Sequence, residues 1–240
     1  MQQFFAQHAS YCDPTSVRPW HWRTDQFLAG GGELMDTGAH YCDTLRYLFG
    51  DPRTVFASVR QLQRLPLQRD DQVVYDNRED TWVATLEFES GLVGVWSCTT
   101  AAPGHAFTHL VYYGTEGCLL DQGDVFLGPF PKGKVILKDG AQIPMERLQQ
   151  EFLASLGEEG RARLFPYGWM EGVQLECYDF VRAVSEGEPV EVDGTTGMKA
   201  KAIGAAILES AALGQAVSYQ DVLAGRIEAY QQLINEHWGL

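Results

Sequence analysis

An aspartate and a histidine four residues apart mark the segment best suited to chemistry. Residues 30–50 read GGGELMDTGAHYCDTLRYLFG, so that Asp36 and His40 follow three glycines. On a helix, a carboxylate one turn from an imidazole can hold that ring in one tautomer and raise its basicity, as a general acid–base residue requires. The spacing therefore makes Asp36 and His40 candidates for general acid–base chemistry.

The apolar periodicity of this segment predicts a helix over residues 33–49. One face is apolar and suited to a core: Leu34, Tyr41, Leu45 and Leu48. The opposite face is polar: Asp36, His40, Asp43 and Tyr47. A polar face is most often simply solvated. Solvated faces consist mainly of Glu, Lys, Arg and Gln, however, so an imidazole flanked by carboxylates favours a functional site.

Two other stretches carry aromatic and polar side chains that could bind a ligand. In SVRPWHWRTD, residues 16–25, His21, Trp22 and Arg23 could hydrogen-bond to a ligand or stack on it, although aromatic loop anchors remain an alternative. In PYGWMEG, Tyr167 and Trp169 could close over a substrate or pack as an ordinary loop. Both stretches are predicted substrate-binding segments.

The motif G-G-G-x-L-x-D-x-G-x-H-x-x-D resembles the start of the C-terminal domain of the Gfo/Idh/MocA oxidoreductases, relatives of glucose–fructose oxidoreductase and inositol dehydrogenase. Weaker pieces follow in the family's order along nearly the whole chain: residues 16–25, 79–80, 113–117, 179–180, 188–190, 193–194 and 206–211. The resemblance implies hydride transfer from a sugar, cyclitol or related hydroxy compound to NAD(P). It also implies that His40 takes the hydroxyl proton while Asp36 binds substrate or orients His40.

The resemblance further implies an α+β fold, a largely antiparallel open sheet with helices on one face. We expect residues 1–240 to form a single substrate-binding and oligomerisation domain, which would associate into a homo-oligomer through the open sheet face. Its parts would be the helix at 33–49, a β-meander over about 54–138 and C-terminal helices over about 171–237. Within the meander, residues 65–78 are predicted as a polar loop and residues 124–127 as a strand.

The Gly-rich fingerprint of a Rossmann domain, G-x-G-x-x-G after a strand, does not occur in the sequence. The family's catalytic lysine, carried in a Glu-Lys-Pro motif, also has no counterpart. We therefore expect a truncated oxidoreductase, from which the N-terminal Rossmann domain is absent. On this hypothesis the chain has no cofactor-binding residues, is inactive alone, and binds no cofactor itself, since NAD or NADP would be held by the full-length parent.

Two other functions remain open at this point. The chain could be a stand-alone module that binds a sugar-like ligand or mediates assembly without catalysis. It could also be part of an NAD-dependent glycosidase, which oxidises and then re-reduces its sugar.

Composition excludes several classes of function. A net charge of −14 opposes binding to nucleic acid or anionic membranes, which needs basic clusters. Five scattered cysteines without a C-x-x-C pair suit free thiols, and with no long apolar segment we expect a cytoplasmic protein. No metal site is expected, because His105 and His109 fall on a loop and a strand, where a spacing of four residues does not bring the rings together.

Overall fold

The structure is a computed structural model of the chain, and it describes residues 1–123 and 132–240. Its strands are β1 Gln3–Ala9, β2 Arg18–Pro19, β3 Pro52–Arg60, β4 Pro66–Arg69, β5 Gln72–Tyr75, β6 Thr81–Phe88, β7 Val93–Thr99, β8 Phe107–Tyr113, β9 Gly117–Asp121, β10 Gly133–Leu137, β11 Gln142–Pro144 and β12 Val217–Ser218. Its α-helices are α1 Gln26–Ala29, α2 Gly38–Phe49, α3 Met145–Ser155, α4 Gly157–Leu164, α5 Gly172–Glu186, α6 Gly194–Leu213, α7 Tyr219–Leu223 and α8 Ala229–Trp238. The strand predicted at 124–127 lies outside the described residues.

The main sheet is mixed, which corrects the prediction of a largely antiparallel one. Its nine described strands run in the order β11-β10-β9-β8-β1-β7-β6-β3-β12. Strand β1 lies between β8 and β7, and it pairs parallel with β7 from Gln3↔Val93 to Ala9↔Thr99. A second sheet, β2-β4-β5, contains another parallel pair, β2 with β4. The meander pattern was recognised from strands that follow one another in sequence, and it could not show that the first strand separates β7 from β8.

A glycine opposite a phenylalanine fixes β1 beside β7. Phe4 and Gly94 are direct partners in the parallel register. A Cβ at Gly94 would lie 1.9 Å from Phe4 Cε1, so the Phe4 ring occupies the space that any other residue's side chain would need. Phe4 is fully buried and its ring stacks on Phe49 of α2, with ring centroids 5.5 Å apart. This contact ties the parallel strand pair to the helix.

Helices α2 and α6 cover one face of the sheet and form the core with it. Trp82 and Trp96 are fully buried, their rings 5.5 Å apart and nearly perpendicular. Each such side chain contributes about 1.5–3 kcal/mol by burial. The hydroxyls of Tyr41 and Tyr112 lie 3.0 Å apart within this core, and burial raises the pKa of Tyr112 to about 12. The core therefore packs α2 against the sheet.

The opposite face of the sheet carries exposed apolar side chains. The alternation of β6 buries Trp82 and Ala84 and leaves Val83 exposed. Other exposed apolar residues on this face are Phe56, Phe107 and Tyr113. We call this surface the open face.

Three local predictions need correction. Residues 65–78, predicted as a loop, contain the antiparallel pair β4 and β5. The helix predicted from residue 33 begins at Gly38. Helices α3 and α4 were not predicted, and since no residue of either is buried, neither belongs to the core.

Candidate functional site

An irregular turn, and not a regular helical turn, precedes α2. The N–H of Asp36 donates to Gly32 O at 3.0 Å, four residues back, but the N–H of Gly38 donates to Glu33 O at 2.9 Å, five residues back. The N–H of His40 donates to Thr37 O at 3.2 Å, three residues back. The number of residues between donor and acceptor thus changes from four to five to three between Asp36 and His40. The two residues are therefore not one regular helical turn apart.

The carboxylate of Glu79 holds the glycine segment in place. It accepts hydrogen bonds from the Gly32 N–H at 2.6 Å and the Leu34 N–H at 3.2 Å. Burial raises the pKa of Glu79, and these hydrogen bonds act in the opposite direction. The Glu79 carboxylate therefore already accepts hydrogen bonds from the N–H groups that would bind a pyrophosphate. In addition, the glycines follow helix α1, whereas a dinucleotide-binding glycine motif follows a strand. The glycine segment therefore does not fit a dinucleotide.

Three of the predicted site residues lie together at this turn. Arg23 Nε lies 3.2 Å from Asp36 Oδ2, and the Arg23 guanidinium lies 4.5 Å from the centre of the Trp22 ring. Arg78 Nη1 donates to the carbonyl oxygen of Arg23 at 3.1 Å and so fixes the loop against the sheet. The side chains of Arg23 and Asp36 are 49% and 37% exposed, so a ligand can reach both.

His40 is exposed and faces a groove of about 400 Å³ that we call the His40 groove. Its polar lining includes Asp43, Glu176 and Lys201. No hydrogen bond joins Asp36 to His40 in the part of the chain that the structure describes, so the predicted direct contact is not formed. The two residues lie on consecutive turns of one segment, Asp36 paired with Arg23 and His40 open to the groove.

Lys201 lines the same groove and was missed by sequence reasoning. It lies on α6, and its ammonium group donates a hydrogen bond to the carbonyl oxygen of Met35, 166 residues away in sequence. This contact attaches α6 to the turn that carries Asp36. No spacing pattern in the sequence connects the two segments.

No hydrogen bond or ring contact among the described residues links the side chains of the remaining predicted residues to this cluster. His21 is exposed, and its carbonyl oxygen accepts from the Thr24 N–H at 2.9 Å. Tyr167 and Trp169 form an aromatic cluster with Tyr178 of α5, with ring centroids 5.0–6.1 Å apart. Tyr167 has a φ of 58°, a left-handed conformation that is uncommon outside glycine. The roles of these three residues in substrate binding stay predictions.

Residues 1–123 and 132–240 contain neither a cluster of metal ligands nor a membrane-spanning helix. No three His, Cys, Asp or Glu side chains there converge as metal ligands. None of the helices described is long and apolar enough to cross a membrane.

Two curated enzymes are similar in sequence. Levoglucosan dehydrogenase of Pseudarthrobacter phenanthrenivorans is 27% identical over 236 residues, which cover 83% of this chain and 54% of that enzyme. 1,5-Anhydro-D-fructose reductase of Ensifer adhaerens is 25% identical over 216 residues, which cover 89% of this chain and 54% of that enzyme. The chain thus spans about half the length of these relatives.

Solved structures share the fold. A levoglucosan dehydrogenase in complex with NADH and L-sorbose superposes with a TM-score of 0.66 at 24% identity, over 92% of this chain and 59% of that one. An NAD binding oxidoreductase from Klebsiella pneumoniae gives 0.65 at 24% identity, over 91% and 59%. Since about nine-tenths of this chain aligns with a dehydrogenase solved with NADH, the prediction that a Rossmann domain is absent from the chain is not upheld.

The family comparison matches the segment that carries the site. Residues 3–120 fit the family described as the GFO/IDH/MocA C-terminal domain. This range runs from β1 into β9 and contains Arg23, Asp36 and His40. The resemblance inferred from the motifs is confirmed over residues 3–120, just under half of the chain, which match the C-terminal domain of the Gfo/Idh/MocA oxidoreductase family.

Proposed function

We propose that this protein acts in the NAD(P)-dependent oxidation or reduction of a sugar or related polyhydroxylated compound. Its described residues would bind the substrate and transfer the hydroxyl proton. The observation that carries the proposal is the Arg23–Asp36 ion pair, with the Trp22 ring against the guanidinium, four residues before the exposed His40 in the chain. The two curated relatives, a sugar dehydrogenase and a sugar reductase, support the reaction class.

Each side chain suits one part of such a reaction. The carboxylate of Asp36 can accept hydrogen bonds from sugar hydroxyls, and Arg23 both orients it and supplies further donors. The exposed face of Trp22 can pack against the C–H face of a sugar ring. His40 would take up or return the proton of the hydroxyl whose carbon is oxidised or reduced.

The imidazole of His40 is available for this role. No hydrogen bond from another described side chain engages it, and it borders the His40 groove. When bound, NAD(P) would exchange the hydride with the substrate carbon. We assign no residue to the cofactor, because Glu79 occupies the N–H groups of the glycine segment.

The open face supports a second part of the proposal, association into a homo-oligomer. Phe56, Val83 and Tyr113 are 51%, 53% and 42% exposed there. Exposed apolar surface of this kind is typical of interfaces between subunits. The occupant we propose is a second copy of this chain, as the family resemblance implies.

Substrate binding tests the proposal without requiring turnover. Calorimetric titration of the protein with levoglucosan, L-sorbose and myo-inositol should give saturable binding for at least one of them. In Asp36→Asn the affinity should fall about tenfold or more, since charge-assisted hydrogen bonds are lost. Asp139→Asn, in an exposed turn distant in sequence from the site, is the matched control. Equal affinity in Asp36→Asn and wild type, or no binding of any sugar, would contradict the proposal.

A further inference from the structure

A second groove adjoins the His40 groove and runs beside α5. Three residues border both spaces: Asp43 of α2, Glu176 of α5 and Val192. The second space measures about 450 Å³, and the His40 groove about 400 Å³. Each is in the range of about 300–1,000 Å³ that is typical of a site for a whole small molecule. We call the second space the α5 groove, and a ligand at His40 can extend into it.

Part of the lining of the α5 groove is apolar. Leu175 and Phe180 of α5 contribute to it, and so do Val190 and Val192 in the segment between α5 and α6. Phe180 is 63% exposed and Val192 is 57% exposed, so a ligand can reach both. Covering such side chains with an apolar group is favourable, because it removes apolar surface from water. A substrate with an apolar substituent beyond its reacting carbon would cover them.

Hydrogen bonds hold the segment between α5 and α6 in place. One carboxylate oxygen of Asp179 on α5 accepts from the Glu191 N–H at 2.9 Å, and the other lies 3.0 Å from an Arg182 nitrogen. At the far end of the segment, Asp193 accepts from the Thr196 N–H of α6 at 2.7 Å. This wall of the α5 groove is therefore formed before a ligand binds, which lowers the cost of ordering it.

The charges of the α5 groove oppose an anionic substituent. Asp43, Glu176 and Glu191 line it, and no hydrogen bond or ion pair engages their carboxylates in the part of the chain that the structure describes. No lysine or arginine is among the described residues that line the groove. A phosphate or carboxylate placed there would be repelled, whereas an uncharged group would not.

We propose that the α5 groove is a substrate subsite for an apolar, uncharged substituent, so that the substrate class is a sugar or similar polyhydroxylated compound with an aryl or alkyl group. This inference rests on the proposed function, because the polyhydroxylated part would lie at the His40 groove. The exposed ring of Phe180 would pack against an aryl group. Phe180 borders the α5 groove but not the His40 groove, which makes it a specificity-determining residue separate from the reacting atoms.

The test compares the methyl and phenyl β-glycosides of D-glucose and of D-galactose by calorimetric titration of the whole chain. For at least one sugar, wild type should bind the phenyl glycoside at least about fivefold more tightly than the methyl glycoside, since the aryl group is partly buried. The 4-carboxyphenyl glycoside of that sugar should lose this advantage, because the carboxylates of the groove repel it.

Phe180→Ala should remove the preference for phenyl and leave the affinity for the methyl glycoside unchanged. Its melting temperature should stay close to that of wild type, because the side chain is mostly exposed. Phe152→Ala on α3 is the matched control: this phenylalanine is 51% exposed and borders neither groove, so the wild-type preference should remain.

The outcomes separate this inference from the proposed function. Equal affinity of wild type for methyl and phenyl glycosides, or the same preference in Phe180→Ala and Phe152→Ala, would overturn the subsite. Binding of levoglucosan, L-sorbose or myo-inositol that weakens in Asp36→Asn would in that case leave the proposed function standing. Failure of every sugar and glycoside to bind would contradict the proposed function, and the subsite with it.

Discussion

Arg23 Nε lies 3.2 Å from a carboxylate oxygen of Asp36, so the aspartate of the motif pairs with the preceding loop and not with His40. The pair joins two segments that the glycines separate in sequence, and it places a cation, an anion and the Trp22 ring together. His40 lies four residues beyond Asp36 in the chain and borders the His40 groove. Binding and proton transfer are therefore assigned to neighbouring but separate groups.

The Arg23–Asp36 pair is predicted to matter for ligand binding more than for stability. Both side chains are over a third exposed, and exposed ion pairs contribute about 0–1 kcal/mol. In Arg23→Met, the free energy of unfolding measured in urea should change by no more than about 1 kcal/mol, while sugar affinity should fall about tenfold or more.

Arg53→Met provides the control for this prediction. It breaks an ion pair of similar exposure, Arg53–Glu87, that lies outside the site. Its stability should change as little, and its sugar affinity should equal that of wild type. Equal sugar affinity in Arg23→Met and Arg53→Met would show that the pair has no part in binding.

Glu79 should make stability depend on pH in a predictable direction. Burial raises the pKa of Glu79 above its ordinary value of 4.5, so the folded protein binds this proton more tightly than the unfolded chain. Its contribution to stability is then complete below pH 4.5 and is lost as the pH rises through the raised value. The free energy of unfolding of wild type and of Glu79→Gln should be measured across this range. The value for wild type minus the value for Glu79→Gln should be larger at pH 4.5 than at pH 7.

The carboxyl groups with lowered pKa values, those of Asp13, Asp179 and Asp193, are present in both proteins, so their effects cancel in this difference. A difference independent of pH, or one that favours wild type more at pH 7, would contradict the assigned direction.

Gly94→Ala should destabilise the protein strongly. Its Cβ would lie 1.9 Å from Phe4 Cε1 and 2.0 Å from Phe4 Cζ, and overpacking of a core typically costs about 1–3 kcal/mol. Thermal and urea unfolding should show this loss, and Phe4→Leu should recover part of it in the double variant. In the control Gly197→Ala on α6, where no atom lies within 4 Å of the added Cβ, stability should instead rise by about 0.5–1 kcal/mol. Equal effects of the two alanines would contradict the packing of β1 against β7.

The open face should control the oligomeric state. Val83→Glu adds a charge in the middle of that face, and light scattering should show a lower molar mass than for wild type at the same concentration. Val73→Glu on β5, equally accessible at 50% exposure but in the smaller sheet, should keep the wild-type mass. A monomeric wild type, or the same mass for both variants, would contradict association through the open face.

Local patterns in the sequence predicted several elements well. Apolar and polar residues alternate from Trp82 to Phe88, which is the pattern of a half-buried strand and corresponds to β6. Asp193 is a typical capping residue, and its carboxylate accepts from the Thr196 N–H of α6 at 2.7 Å. Such features depend on neighbouring residues, so periodicity and capping reveal them. The Gfo/Idh/MocA resemblance likewise depends on a short motif.

Contacts between distant segments could not be predicted in the same way. The insertion of β1 between β7 and β8 depends on Phe4 meeting Gly94, and neither residue is informative without the other. The turn before α2 is set by Glu79 and by the hydrogen bond from Lys201 to Met35, which come from separate regions of the chain. For this reason the expected contact between Asp36 and His40 was replaced by one between Asp36 and Arg23.

The role of His40 is tested most directly by the rate of NAD(P)H formation when the protein is mixed with NAD⁺ or NADP⁺ and levoglucosan, L-sorbose or myo-inositol. A general acid–base group contributes about 10²–10⁴-fold, so His40→Gln should lower kcat by at least about 100-fold while sugar binding persists. His105→Gln, the same change at an exposed histidine outside the site, should retain the wild-type rate. A wild type that oxidises no sugar with either nucleotide, or a His40→Gln variant as fast as wild type, would contradict the proposed function.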